Sequence, residues 1–195
     1  MTFFIYFVFA VIACTAFYVA SGMIYQWVKG IAGAYMKYRG KRVIICPETR
    51  KPAGVEVDAE HAAATAAMGL AELRLKACTR WPEKKDCGQE CLAQVEWNPE
   101  GCLVWNILSG WYEGKSCFYC QVPFGEIHLI DHRPAFLSPE GRTIEWSEIP
   151  LEQIPAALDT HSPVCWNCHI AQSFRLEHPE LVVDRPWRGS FHAMH

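Results

Sequence analysis

No aspartate, glutamate, lysine or arginine occurs between Met1 and Val28. An uncharged apolar run of that length is not an ordinary water-facing segment, because about 20 such residues cross a bilayer as a helix. The chain also lacks a nucleotide-binding glycine loop, a GxSxG elbow and an HExxH pair. The common nucleotide-binding, serine-hydrolase and zincin signatures are therefore missing. No repeat of 20–50 residues recurs, which removes solenoids and propellers. A surplus of positive charge is missing too: the net charge is −3, a poor basis for holding a polyanion.

What is present divides unevenly. Phe3 to Val28 reads as a single transmembrane helix, with Tyr25 and Trp27 where an interfacial aromatic belt falls. Lys29, Lys37, Arg39, Lys41 and Arg42 then arrive before the first acid, Glu48. By the positive-inside rule this bias places the rest of the chain in the cytoplasm, on a bacterial-type inner membrane. Val11-Ile-Ala-Cys14 resembles a lipoprotein cleavage box, and cleavage there would reverse the topology. The apolar run continues well past it, which favours an intact anchor. The domain expectation is a membrane helix at 1–28, a basic juxtamembrane segment at 29–42, a cysteine-containing and mainly helical subdomain at 43–114, a paired-CxxC module at 115–178 and a tail at 179–195.

Within 43–114, residues 43–46 and 55–57 read as two short strands of a hairpin across a Pro/Gly turn. Asp58 suits a helix N-cap, and the Ala- and Leu-rich 59–77 reads as the helix that follows. A helix over 87–97 would put Cys87 and Cys91 on one face, one turn apart. With Cys78 and either Cys46 or Cys102 they could complete a second four-sulfur site, for zinc or an iron–sulfur cluster. Residues 103–112, with Trp105 and Trp111, read as a buried helix.

Ten cysteines are present, nine of them outside the apolar run. Nine is odd, so a complete disulfide framework leaves one thiol over, whereas metal sites need no even count. Four form two knuckles, Cys117-Phe-Tyr-Cys120 and Cys165-Trp-Asn-Cys168, and two CxxC pairs supply a tetrahedral thiolate shell. Between them lie strand-like segments at 126–131 and 142–146, and a helix is expected over 169–178. The fold class is thus α+β: one N-terminal transmembrane helix followed by a small, cysteine-rich, zinc-stabilised domain.

The order of Cys117-Phe-Tyr-Cys120, Leu129-Ile-Asp131-His132-Arg-Pro134 and Cys165-Trp-Asn-Cys168-His169 resembles the zinc-bearing HNH endonuclease family, a treble-clef-like ββα fold. The resemblance covers residues 117–175. It implies structural zinc on Cys117, Cys120, Cys165 and Cys168, His132 as general base, and Asp131 with His169 on a catalytic metal. The family's Gly-Gly after the Asp-His strand is absent, and Thr160-His161-Ser162 stands where its Asn-Leu falls. From residue 115 onward six Lys/Arg face ten Asp/Glu, which disfavours nucleic acid as a partner.

Cys165-Trp-Asn-Cys168-His169 is also the attachment signature of c-type haem, with His169 as axial ligand and His178, His192, Met194 or His195 opposite. Covalent haem would require an extracytoplasmic, periplasmic domain. Three functions follow: a zinc-binding accessory subunit docking through a Trp-rich face onto other membrane-protein subunits, a membrane-anchored monohaem electron carrier, and a membrane-tethered nuclease. No small-molecule substrate is indicated.

Overall fold

The computed structural model describes residues 2–84, 86–127 and 134–182. It is α+β, with a long apolar N-terminal helix. Two compact units divide it: residues 1–108 with 150–153, and 109–149 with 154–195.

In the first unit, α1 runs unbroken over Thr2–Tyr38. Its stretch Val11–Tyr38, with an 18-residue window of mean hydropathy 1.4, is long and apolar enough to cross a membrane. Of the segment read as juxtamembrane, 29–38 continues the same helix, and Lys41 and Arg42 open the first strand. Ile31 and Ala34 are half-buried and Tyr38 is buried, a spacing of three and four that turns one face toward protein. Gly40, at φ 97°, ends the helix; that backbone region suits glycine at a helix C-terminus.

The hairpin read at 43–57 is present. β1 (Lys41–Ile45) and β2 (Pro52–Val57) pair antiparallel, with Ile44 opposite Ala53. Val43, Ile44, Val55 and Val57 are buried in it. Asp58 caps α2 (Ala59–Ala66): one carboxylate oxygen accepts the His61 amide at 2.9 Å. The other accepts Arg74 Nε at 2.8 Å and Nη2 at 2.7 Å.

The helix expected over 59–77 ends early. Gly69 at φ 129° breaks the chain direction, and Leu75–Cys78 becomes β3, antiparallel to β2. Ala and Leu favour helix only weakly, and a free strand edge beside β2 outweighs that preference. The helix expected over 87–97 is also shorter: α3 is Leu92–Trp97. Cys87 lies before it without helix, so Cys87 and Cys91 do not share a helical face. α4 (Val104–Tyr112) buries Val104, Leu108 and Tyr112 along one stripe.

The His61 amide, then the Arg74 guanidinium, hold the Asp58 carboxyl below its ordinary range. A depressed carboxylate stabilises the fold above its unfolded pKa, and that contribution is lost as pH falls through the folded value. Asp58→Ala is therefore expected to lower the unfolding midpoint at neutral pH and to change it little well below the carboxylate range. Circular dichroism melts at the two pH values check this.

The second unit is built on β4 (Ala135–Leu137). β5 (Thr143–Glu145) and β6 (Ser162–Val164) pair antiparallel on either side of it. α5 (Ile154–Thr160) precedes β6, and α6 (Trp166–Glu177) follows it. Tyr112, Phe136, Ile154 and Val164 are fully buried. The Tyr112 hydroxyl donates to the Ala135 carbonyl at 2.8 Å, and Trp111 Nε1 to that of Leu158 at 2.9 Å. The strand read at 142–146 corresponds to β5. Of the strand read at 126–131, Glu126 and Ile127 have no strand structure; the remainder, with His128, lies outside the described residues.

Candidate metal centre

Cys117 to Val122 is a tight turn. The Cys117 amide donates to the Val122 carbonyl and the Gln121 amide to the Cys117 carbonyl, both at 2.9 Å. Gln121 takes φ 57°, a left-handed conformation that costs a non-glycine residue of order 1 kcal/mol or more. The Phe118 amide donates to the Pro163 carbonyl at 2.8 Å, tying this turn to β6. Cys165 stands at the N-cap of α6 and Cys168 in its first turn.

The four sulfurs of Cys117, Cys120, Cys165 and Cys168 all lie within 4.8 Å of one another. No disulfide links them. Cys120 Sγ and Cys165 Sγ are 3.7 Å apart. A tetrahedron with metal–sulfur bonds of about 2.3 Å has an edge of about 3.8 Å, so this spacing already suits a tetrathiolate ion.

The electrostatics agree. Burial opposes ionisation of Cys117, but the amides of Cys120, Cys165 and Tyr119 overcome it and bring the thiol down to about 7. The Cys165 amide is 3.3 Å from Cys117 Sγ. Burial, and then the neighbouring sulfurs, push Cys168 up. Four crowded thiols cannot all ionise alone; a cation removes that conflict. The set is compatible with a metal such as zinc.

His169 is buried, and its Nδ1 has no hydrogen-bond partner among the described residues. Asp131 and His132, the residues that would carry nuclease chemistry, lie outside the described residues. So do His192, Met194 and His195; His178 is half-exposed, 3.5 Å from Glu180.

The other cysteines fall in the first unit. Cys46, Cys78, Cys87 and Cys91 line one cavity of about 320 Å³. Burial, reinforced by the charges of Cys87, Cys78 and Cys46, pushes the Cys91 thiol up to about 11. Cys102 is not among the lining residues; its sulfur faces the Gln94 carbonyl at 3.8 Å.

No protein-family model, curated protein or solved structure matches the chain. The geometry therefore carries the functional argument alone. Sequence reasoning did not find Arg42, read as one of five membrane-facing cations. Its side chain is buried against the end of α1. The remaining four, Lys29, Lys37, Arg39 and Lys41, are exposed. The expected Trp-rich face is described only in part, because Trp187 lies outside the described residues. Trp97 is 92% exposed, whereas Trp81, Trp105, Trp111, Trp146 and Trp166 are half-buried.

Proposed function

We propose that this chain is a membrane-anchored, zinc-binding accessory subunit of a membrane protein complex. The observation that carries this reading is the convergence of four thiols from two distant knuckles. A turn with two cysteines, the β4–β5 hairpin and a helix opening on two more cysteines follow the order of a treble clef. In that arrangement zinc substitutes for core that a small unit cannot build. The zinc reading is preferred over covalent haem because haem would take Cys165 and Cys168 away from Cys117 and Cys120. It is preferred over nuclease activity because the acidic balance repels a polyanion.

In this reading α1 spans the bilayer, and the four exposed cations hold its C-terminal side in the cytoplasm. Trp27 Nε1 donates to the Ala67 carbonyl at 3.2 Å. That bond sets the loop after α2 beside the belt residue, where Met68 and Leu70 are 82% and 88% exposed. These two side chains then enter the headgroup boundary as a second membrane contact. Trp97 and the exposed Ile170 and Phe174 of α6 are left for protein partners.

The test is direct. Chain purified from alkali-washed membranes should carry zinc, of which Cys165→Ser with Cys168→Ser removes one equivalent. A pyridine haemochrome spectrum, or divalent-metal-dependent cleavage that His132→Ala abolishes, would instead support the other readings. A photoreactive side chain at position 70 is expected to crosslink to lipid in proteoliposomes. No lipid adduct there would remove the second membrane contact.

A further inference from the structure

The tight turn at Cys117 occurs twice. Around Cys46, the Cys46 amide donates to the Lys51 carbonyl at 2.9 Å and the Arg50 amide to the Cys46 carbonyl at 2.8 Å. Arg50 takes φ 56°, matching 57° at Gln121. In both turns the amide three residues on, Thr49 for Cys46 and Cys120 for Cys117, acts to lower the pKa of the leading thiol. A thiol sulfur is a weak acceptor, whereas a thiolate makes charge-assisted hydrogen bonds. The turn at 46–51 is thus shaped as a metal knuckle, with Thr49 in the place of the second cysteine.

We propose that Cys46, Cys78, Cys87 and Cys91 bind a second soft divalent metal ion, of the zinc class, in the first unit. Three separate chain segments supply the four sulfurs to one cavity: the β1–β2 turn, the end of β3 and the stretch that enters α3. Ile44, Ala53 and Leu75 supply an apolar part of its lining. A further amide, that of Gln89, faces Cys87 Sγ at 3.4 Å, and Gln89 itself takes φ 56°. Four thiolates on a dication leave a formal charge of −2. Two cations, Arg80 and Lys84, line the same cavity, together with the carboxylates of Glu48, Asp86 and Glu90. Arg80 Nη1 lies 2.9 Å from Cys46 Sγ and 3.0 Å from Glu48, and Glu48 also pairs with Lys84.

Among the described residues only Cys117, Cys120, Cys165 and Cys168 already hold their sulfurs within 4.8 Å of one another, so the second set must draw together on its ion. Cys87 and Cys91 flank residues without helix or strand, so they are the pair that closes on the ion. Cys102 is excluded, because it faces the Gln94 carbonyl instead.

The experiment is metal analysis of the full chain purified under reducing conditions in detergent with zinc present. Two equivalents per chain are expected in the parent and in Cys102→Ser. One equivalent is expected in Cys87→Ser/Cys91→Ser. One is also expected in Cys165→Ser/Cys168→Ser, which separates this site from the first. A parent with one equivalent, a Cys87→Ser/Cys91→Ser chain that keeps two, or iron with inorganic sulfide at this set overturns the proposal. If that double variant fails to fold, alkylation mapped by mass spectrometry on the zinc-loaded parent decides. Cys46, Cys78, Cys87 and Cys91 should be protected together and become reactive together on chelation. Alkylation of these four while zinc is bound overturns the site.

Discussion

If the second unit binds zinc as proposed, serine at Cys117 is expected to release it and to leave the described residues of that unit without a stable tertiary fold. The fully buried side chains of that unit are few, and its strands are three residues each. Structural zinc contributes on the order of 10 kcal/mol or more to a small module. That is comparable to the whole margin of a folded domain, about 5–15 kcal/mol. Cys117 is also the sulfur with no exposure, packed with Ala135 and Val164, so a smaller polar hydroxyl there loses packing as well as a ligand. Chelation of the parent should produce the same state. Loss of dispersed amide resonances from this unit, with zinc stoichiometry measured in parallel, checks it. A Cys117→Ser chain that keeps its zinc and its dispersion would sink the idea.

The pH dependence has a defined sign. The Cys117 pKa is depressed to about 7 in the folded chain. Its contribution to stability is complete above the pKa of an ordinary thiol and is lost as pH falls through about 7. Proton competition for the other three ligands acts in the same direction. Metal release on acidification should therefore precede the pH at which carboxylates titrate.

The parts legible in the sequence were those with local, self-contained signals. The uncharged run to Val28 sufficed for α1, Asp58 before an alanine run for the start of α2, and two CxxC pairs for the cysteine cluster. What stayed hidden depended on contacts between distant segments. Residues 67–77 have helix-forming composition, yet β3 forms because β2 presents an edge and Gly69 turns the chain. Grouping Cys78, Cys87 and Cys91 with Cys46 or Cys102 rests, in the sequence, on a helix over 87–97 that does not form at 87–91. The structure brings Cys46, Cys78, Cys87 and Cys91 to one cavity through the knuckle-like turn at 46–51 and an irregular approach to α3. Nothing in a lone Cys-Pro-Glu-Thr marks such a turn, since its second cysteine is missing. Arg42 illustrates the same limit. Composition sees one more cation near the membrane and cannot see that the chain doubles back at Gly40.

Arg42→Ala is expected to cost the first unit on the order of 4 kcal/mol, a large loss for one side chain. Arg42 is 1% exposed. Its Nη1 donates to the carbonyls of Tyr38 at 2.6 Å, Gly40 at 2.9 Å and Arg39 at 3.1 Å, and its Nη2 to that of Lys37 at 2.6 Å. The last carbonyls of a helix have no partner within it, and the negative end of the helix dipole favours a cation there. Alanine would leave the buried Tyr38 carbonyl and the partly buried carbonyls of Lys37, Arg39 and Gly40 without this partner. Lysine carries the charge without the planar fork, so Arg42→Lys should recover half of the loss or less. Arg39→Ala is the decisive comparison. It too removes one cation near the membrane, but Arg39 is exposed and should change stability by less than about 0.5 kcal/mol. Denaturant midpoints of the detergent-solubilised chain separate the two accounts. Equal, small losses from Arg42→Ala and Arg39→Ala would mean that Arg42 acts as membrane-facing charge. A large loss confined to Arg42 would mean that it fastens the end of α1 to the sheet.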